Sequence, residues 1–333
     1  ISDPQSIAYC TGYYNDPHER MFVFMISKHG NHTLFMNDLF YLEHDLDVNI
    51  VWHKDGQDAI QTIVDEMHFP GRIGIDKNWA SHFLLDLMKK LPDAKYINAS
   101  PCVDLVRMKK DLQEQVLMIE SSKINDAVME EIIPFIQEGV TEKQLAKKLD
   151  ELFFNHHSTC YGAIVAFGKN AADPHHENDD TPLRKGDCVL IDMGCVYKGY
   201  CSDMTRTFFY EGILEEEIKV YEIVKKANEA AEAMIKPGVK LSDIDKCARK
   251  VISDEGYGKY FTHRLGHFIG RDVHEYGDVS SVNEMEVEEG MIFSIEPGIY
   301  LEGNFGVRVE DLVMVTKDRC QVLNSFTKDI YII

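Results

Sequence analysis

The feature that most constrains this chain is that its larger part says the same thing twice. A helical run ends in Ile136-Gln137-Glu138-Gly139-Val140 and resumes through Leu145, Leu149 and Leu152; at an offset of 99 residues a second ends in Ile235-Lys236-Pro237-Gly238-Val239 and resumes through Ile244, Ala248 and Val251. Both runs place apolar side chains at helical spacing. Each copy then leads to a strand opened by glycine, Gly186 to Asp192 and Gly290 to Glu296, with the closing acid six residues after the glycine in both. A repeat of this kind predicts a duplicated unit, and helices followed by strands predict an α+β domain with a pseudo-twofold axis.

A further acid follows each strand, Asp203 eleven residues after Asp192 and Glu310 fourteen after Glu296. With Tyr197 and Lys198 at the tip of a hairpin, Asp192 and Asp203 are expected directly opposite one another on one face. Two carboxylates so placed repel unless a cation lies between them. One pair from each half predicts a bowl of four carboxylates on a curved antiparallel sheet. Asp203 also has a plainer reading, as the cap of a turn.

The first hundred residues read differently. Strand-like runs (Met21 to Ser27, Thr33 to Met36, Ile73 to Ile75, Tyr96 to Asn98) alternate with helical stretches such as Trp79 to Leu91, the pattern of a small α/β domain. Ser100-Pro101 interrupts it, and a charged helix is expected from near Val106 towards Ile136. The expected domains are therefore 1–105 and 106–333, which suits a chain of 333 residues, too long for one ordinary core.

Composition narrows the partners. A net charge of −21, from 56 acidic and 35 basic residues, argues against nucleic acid or an anionic membrane. The early apolar run Met21 to Ile26 falls far short of the roughly 18 residues needed to span a bilayer, and no signal-peptide pattern opens the sequence. Eight cysteines without a CxxC pair point to reduced thiols and a cytoplasmic protein.

Asp192, Asp203, His267, Glu296 and Glu310 stand in IDMG, SDMTRT, RLGHFIG, IEPGIY and RVEDL. Hard oxygen donors with a single imidazole suit Mn²⁺ first, with Co²⁺, Zn²⁺ or Fe²⁺ also accommodated, and carboxylates can bridge two ions about 3.5 Å apart. Such a pair lowers the pKa of a bridging water towards neutrality, and hydrolysis of an acyl bond is its natural use. The sequence offers no competing engine: no GxSxG elbow, no HExxH and no phosphate-cradling glycine loop.

The runs IDMGCVYKGYCSDMTRTF, HRLGHFIGRDVHE, IEPGIY and VRVEDLVMV resemble those of the pita-bread metallopeptidases, the superfamily of methionine aminopeptidase, creatinase, aminopeptidase P and proline dipeptidase. With AFGKNAADPHH and IAYCTGYYNDPHER, nearly the whole chain is most similar to bacterial Xaa-Pro dipeptidases, the prolidases. The resemblance implies a pita-bread catalytic domain after a smaller creatinase-like domain, a homodimer, and a dipeptide substrate with C-terminal proline. It further implies that Asp192 chelates one of two ions, that His267 and Glu296 hold the other, and that Asp203 and Glu310 bridge them. Glu296 would also be the general base. His175, 17 residues before Asp192, is selected over His176 as the histidine supporting the ligands. His274 would stabilise the tetrahedral oxyanion, and Arg308 would orient Glu310 or the substrate, or else pair at the surface with Glu302.

Three departures from the family bear on the substrate rim. Relatives begin with an additional helix and strand, so the first domain is expected to be trimmed or incomplete at its start. The small residue usual after the ligand histidine is Phe268, which is expected to narrow the cleft or alter access to the metal. Between His274 and Glu296, where prolidases commonly present an arginine to the substrate carboxylate, there is no Lys or Arg. Arg271 is the nearest replacement; a salt bridge to Asp272 or Glu275 is the alternative. Competing functions are an Xaa-Pro aminopeptidase acting on longer peptides and a catalytically inactive pita-bread binding module. A creatinase-type amidinohydrolase fits less well, since creatinases lack the full metal set.

Overall fold

Strand and helix alternate in the first hundred residues, and they include elements that the sequence pattern leaves unassigned. The computed structural model describes residues 1–28, 30–67 and 71–333, in two compact units, Ile1–Val106 and Arg107–Ile333. In the first unit Val23–Met25 pairs antiparallel with Thr33–Asn37, which runs parallel to Asn49–His53, and Arg72–Ile75 runs parallel to Lys95–Asn98. Helices Pro4–Thr11 and Ala59–Glu66 each span only eight residues, too few to show a clear apolar period. Their start signals are local: the Asp3 carboxylate accepts from Ser6 N–H ahead of Pro4, and Asp58 accepts from Gln61 N–H. Phe35, Ile60, Ile63 and Leu87 form the buried centre of this unit.

The single helix expected from near Val106 is in fact two. Helix Pro101–Met108 stops, Lys109 bridges Met291, and Lys110 N–H donates to the Gly290 carbonyl. Asp111 then caps a new helix, Leu112–Ile132, through a reciprocal box with Glu114.

The repeat is present in detail. Helices Leu112–Ile132 and Glu142–Asn155 of the first copy correspond to Glu215–Met234 and Leu241–Asp254 of the second. Between them Gly139 and Gly238 take left-handed φ of 83° and 86°, which only glycine adopts without strain. Gly139 N–H reaches the Leu183 carbonyl and Gly238 N–H the Val287 carbonyl, both at 2.9 Å. Leu145, Leu149 and Phe153 pack on Val189 and Ile191, while Ile244, Ala248 and Ile252 pack in the core that contains Phe293 and Ile295.

Strand Cys188–Met193 lies between Ile164–Phe167 and Met204–Phe209, antiparallel to both, and Ile292–Ile295 pairs antiparallel with Asp311–Val315. The expected facing of Asp192 and Asp203 is corrected by two residues: Asp192 stands opposite Thr205. The hairpin tip is Lys198-Gly199, with φ of 49° and 82°, closed by the pair Tyr197 and Tyr200. Two left-handed residues make the primed turn whose twist suits a tight hairpin, and that turn sets the register. Because strand faces alternate with period two, Asp203 remains on the face of Asp192, as its diagonal neighbour. In the second copy the last strand pair is Ile295 with Asp311, and Glu296 and Glu310 follow one step beyond it.

Candidate metal centre

Each strand end delivers an acid to one buried place. His267 Nε2 lies 3.5 Å from Asp203 Oδ2 and 3.6 Å from Glu296 Oε1, and Asp203, His267 and Glu310 each offer a ligand atom within 4.8 Å of the others. His267 is oriented at two points, and one of its partners is tied on to Glu296. Its backbone N–H donates to Ser294 Oγ, Ser294 Oγ donates to Glu296 Oε1, and its ring Nδ1–H donates to the Phe268 carbonyl, so Nε2 faces the acids.

Arg308 is buried and supports the opposite side. It donates to Asp192 Oδ2 at 2.6 Å, to the Tyr300 hydroxyl at 3.0 Å and to Thr205 Oγ1 at 3.1 Å. Thr205 in turn donates to Glu310 Oε2 at 2.7 Å. The Tyr300 hydroxyl donates on to His263 Nε2, whose Nδ1–H is held by the Arg264 carbonyl. Burial, reinforced by Arg308, drops the His263 pKa to about 4, so the ring is neutral and accepts. Arg206 anchors the backbone behind the ligands, donating to the carbonyls of Thr205 and Glu310 and to Asp311.

The electrostatics are those of a cation site. Burial pushes Glu296 up to about 7, and burial followed by Asp203, Glu296 and Asp192 pushes Glu310 well above the usual carboxylate range. Asp192 is also raised by burial, against the pull of Arg308. Burial pulls His267 down, but Asp203 and Glu296 outweigh it and its pKa rises. Glu310 Oε1 is buried and has no hydrogen-bond partner among the described residues. A buried acceptor so left costs about 1–3 kcal/mol, more if ionised, and a divalent ion held by hard oxygen and one imidazole would satisfy it.

Residues 116–317 match the model of metallopeptidase family M24, and residues 1–109 that of the creatinase/prolidase N-terminal domain. The chain belongs to metallopeptidase family M24. It is 35% identical to an uncharacterized peptidase of Staphylococcus aureus (strain bovine RF122 / ET3-1) over 337 residues, covering 98% of this chain and 94% of that protein. Among solved structures it is similar to a dipeptidase from Pyrococcus horikoshii OT3, with TM-score 0.93 and 34% identity over 100% of this chain and 95% of that one. It is also similar to a prolidase from Thermococcus sibiricus, with TM-score 0.92 and 33% identity over 98% and 92%.

In this M24 peptidase the residues singled out around the four acids and the histidine fall into distinct places. Arg308 is neither at the surface nor on Glu302; it grips Asp192 and reaches Glu310 only through Thr205. His274 stacks edge-on against His267 with ring centroids 4.2 Å apart, and burial, then the charges of His267 and Arg264, pulls its pKa to about 4. His175 is exposed, while its neighbour His176 turns inward to Glu142 at 2.6 Å. Glu142, His176 and Asp179 form a second cluster of metal-ligand types. There Glu142 already accepts from Phe167 N–H, Asn170, His176 and Asp179 N–H, so it serves as a hydrogen-bonded hub for the segment that carries His175.

Phe268 does not narrow the cleft. It is fully buried against Phe293, with ring centroids 5.3 Å apart, and a Cβ at Gly277 would meet its ring at 2.7 Å. Gly277 thus makes the room that the large side chain needs. The Arg271 guanidinium lies over the Tyr200 ring, 5.5 Å from its centroid, beside the Lys198-Gly199 turn. Thr205, Tyr300, His263 and Ser294 were not singled out in the sequence. Thr205 and Tyr300 do stand in the motifs SDMTRT and IEPGIY, and Thr205 lies two residues after Asp203, the strand period that shares a face.

Proposed function

We propose that this M24 peptidase is an Xaa-Pro dipeptidase working with two divalent ions, Mn²⁺ first among them. Asp192 would bind one ion, His267 and Glu296 the other, and Asp203 and Glu310 both. The observation that carries the reading is the unsatisfied, buried Glu310 Oε1 beside Asp203 and His267. When bound, two such ions supply a water of lowered pKa and polarise the scissile carbonyl. Glu296 is the base that takes the proton of the attacking water, and His274, neutral at a pKa of about 4, donates a hydrogen bond to the developing oxyanion. Arg308 holds Asp192 through one of its carboxylate oxygens, and His175 is the histidine that would support the ligands. Arg271, over the Tyr200 ring, binds the substrate's C-terminal carboxylate. A cytoplasmic homodimer belongs to the same proposal; eight free cysteines support a reducing compartment. No helix among the described residues is long and apolar enough to cross a membrane.

The test is hydrolysis of Leu-Pro against Leu-Pro-Pro by Mn²⁺-equilibrated protein. A dipeptidase cleaves Leu-Pro with the higher kcat/KM. Clear preference for the longer peptide sinks the proposal in favour of an aminopeptidase, and no turnover of either, with ions bound, sinks both.

A further inference from the structure

The loop from Phe268 to Glu275 returns the chain from His267 to His274, and it closes on its own last residue. Glu275 N–H donates to the Phe268 carbonyl, and the Glu275 carboxylate accepts from Arg271 N–H at 3.0 Å. A Cβ at Gly270 would lie 2.7 Å from Glu275 Oε1, so the backbone wraps closely around this carboxylate. Glu275 is buried, and a buried carboxylate needs matching cations.

Both cations come from one short segment. Arg107 donates to Glu275 Oε1 at 2.6 Å and to Asp272 at 2.7 Å, and Lys110 donates to Glu275 Oε2 at 2.9 Å. Burial would raise the Glu275 pKa, but Lys110 and Arg107 hold it below the usual range. The same segment is stitched to the strand that ends at Glu296. Lys109 bridges Met291 and pairs with Glu288, Lys110 N–H donates to Gly290, and the Met108 methyl lies beside Gly277, against which Phe268 packs. Residues 107–110 therefore touch, within ten residues of each, the strand that supplies Glu296 and the loop that supplies His274. The family model of the peptidase begins only at residue 116.

We propose that Arg107 and Lys110 are positioning residues for His274: their charges fix Glu275, and Glu275 fixes the loop that stands His274 against His267. The inference rests on the role given above to His274 in hydrolysis. Neither cation touches the reacting atoms. A misplacement of about 1 Å is enough to cost up to a hundredfold in rate, so loss of one of the two cations is expected to lower kcat roughly tenfold.

The test uses the full chain equilibrated with Mn²⁺ and the variants Lys110→Met, Lys110→Arg and His274→Ala. In Lys110→Met, hydrogen exchange of amides 268–277 should quicken by tenfold or more while Mn²⁺ content stays at the wild-type level. With Leu-Pro, kcat should fall roughly tenfold with KM changed less than twofold, and Lys110→Arg should restore most of it. In the His274→Ala background the same Lys110→Met change should cost less than twofold, because the positioned group is already gone. Unchanged exchange overturns the proposal, as does an equal loss in both backgrounds, which marks a purely structural ion pair. Loss of bound Mn²⁺ in place of rate also overturns it. Failure of the wild type to cleave Leu-Pro refutes the dipeptidase reading instead, and the exchange of 268–277 still decides whether Lys110 holds the loop.

Discussion

Thr205→Val is the most informative single change outside the ligand set. The two side chains are nearly isosteric, so the substitution removes a hydroxyl and little else. That hydroxyl donates to Glu310 Oε2 at 2.7 Å and accepts from Arg308 Nε at 3.1 Å. In the metal-free protein, burial and the neighbouring carboxylates favour protonated Glu310, so the bond is of neutral strength, about 0.5–1.5 kcal/mol. Metal binding requires the ionised form, and the same bond becomes charge-assisted, about 1.5–3 kcal/mol. The difference, on the order of 1.4 kcal/mol, is taken from the binding of metal and corresponds to a roughly tenfold rise in Kd. Orphaning the Arg308 Nε–H adds about 1 kcal/mol to the loss of folding stability in either state. Calorimetric titration of chelator-treated protein with Mn²⁺, alongside urea unfolding, measures both quantities. A variant that folds with wild-type stability and binds Mn²⁺ with unchanged Kd would refute the assignment of Glu310 as a ligand held by Thr205.

Other outcomes follow from the same geometry. Asp203→Asn, which removes a bridging charge, should lower both Mn²⁺ occupancy and turnover; full activity in that variant would contradict the bridge. Arg271→Met should raise KM for Leu-Pro with metal content unchanged, and an unaltered KM would remove Arg271 as the carboxylate anchor. The folded pKa of Glu296, about 7, lies above its unfolded value near 4.5, so its contribution to metal-free stability is present below pH 4.5 and is lost as pH rises through 7. Between pH 5 and 8 the chelator-treated wild type should therefore lose on the order of 3 kcal/mol more unfolding free energy than Glu296→Gln. Parallel urea curves for the two proteins would show that Glu296 is not so perturbed.

The repeat and the five metal-ligand candidates were legible because each rests on short-range pattern. Gly139 and Gly238 mark the same left-handed turn 99 residues apart, and each strand ends in its acid. Register was less legible: Tyr197-Lys198 was the expected tip, and the left-handed φ pair at 198 and 199 moves it one residue along. Long-range partners were not legible at all. Nothing in sequence spacing joins Arg308 to Asp192 across 116 residues, or Arg107 to Glu275 across 168. Phe268 misled for a related reason: a large residue beside a ligand suggests a narrowed cleft until the glycine at 277 that admits it to the core is seen. In the first unit, helices Pro4–Thr11 and Ala59–Glu66 were too short for periodicity, and their Asp3 and Asp58 caps emerge only from the structure.

The central claim is that Asp203 and Glu310 hold two ions between the duplicated halves. It is tested most directly by anomalous scattering from crystals of the Mn²⁺-loaded protein. Two peaks about 3.5–4 Å apart, both within coordination distance of Asp203 and Glu310 and flanked by Asp192 on one side and His267 with Glu296 on the other, are the predicted result. A single peak, or peaks at Glu142, His176 and Asp179 with none at Glu310, would contradict it.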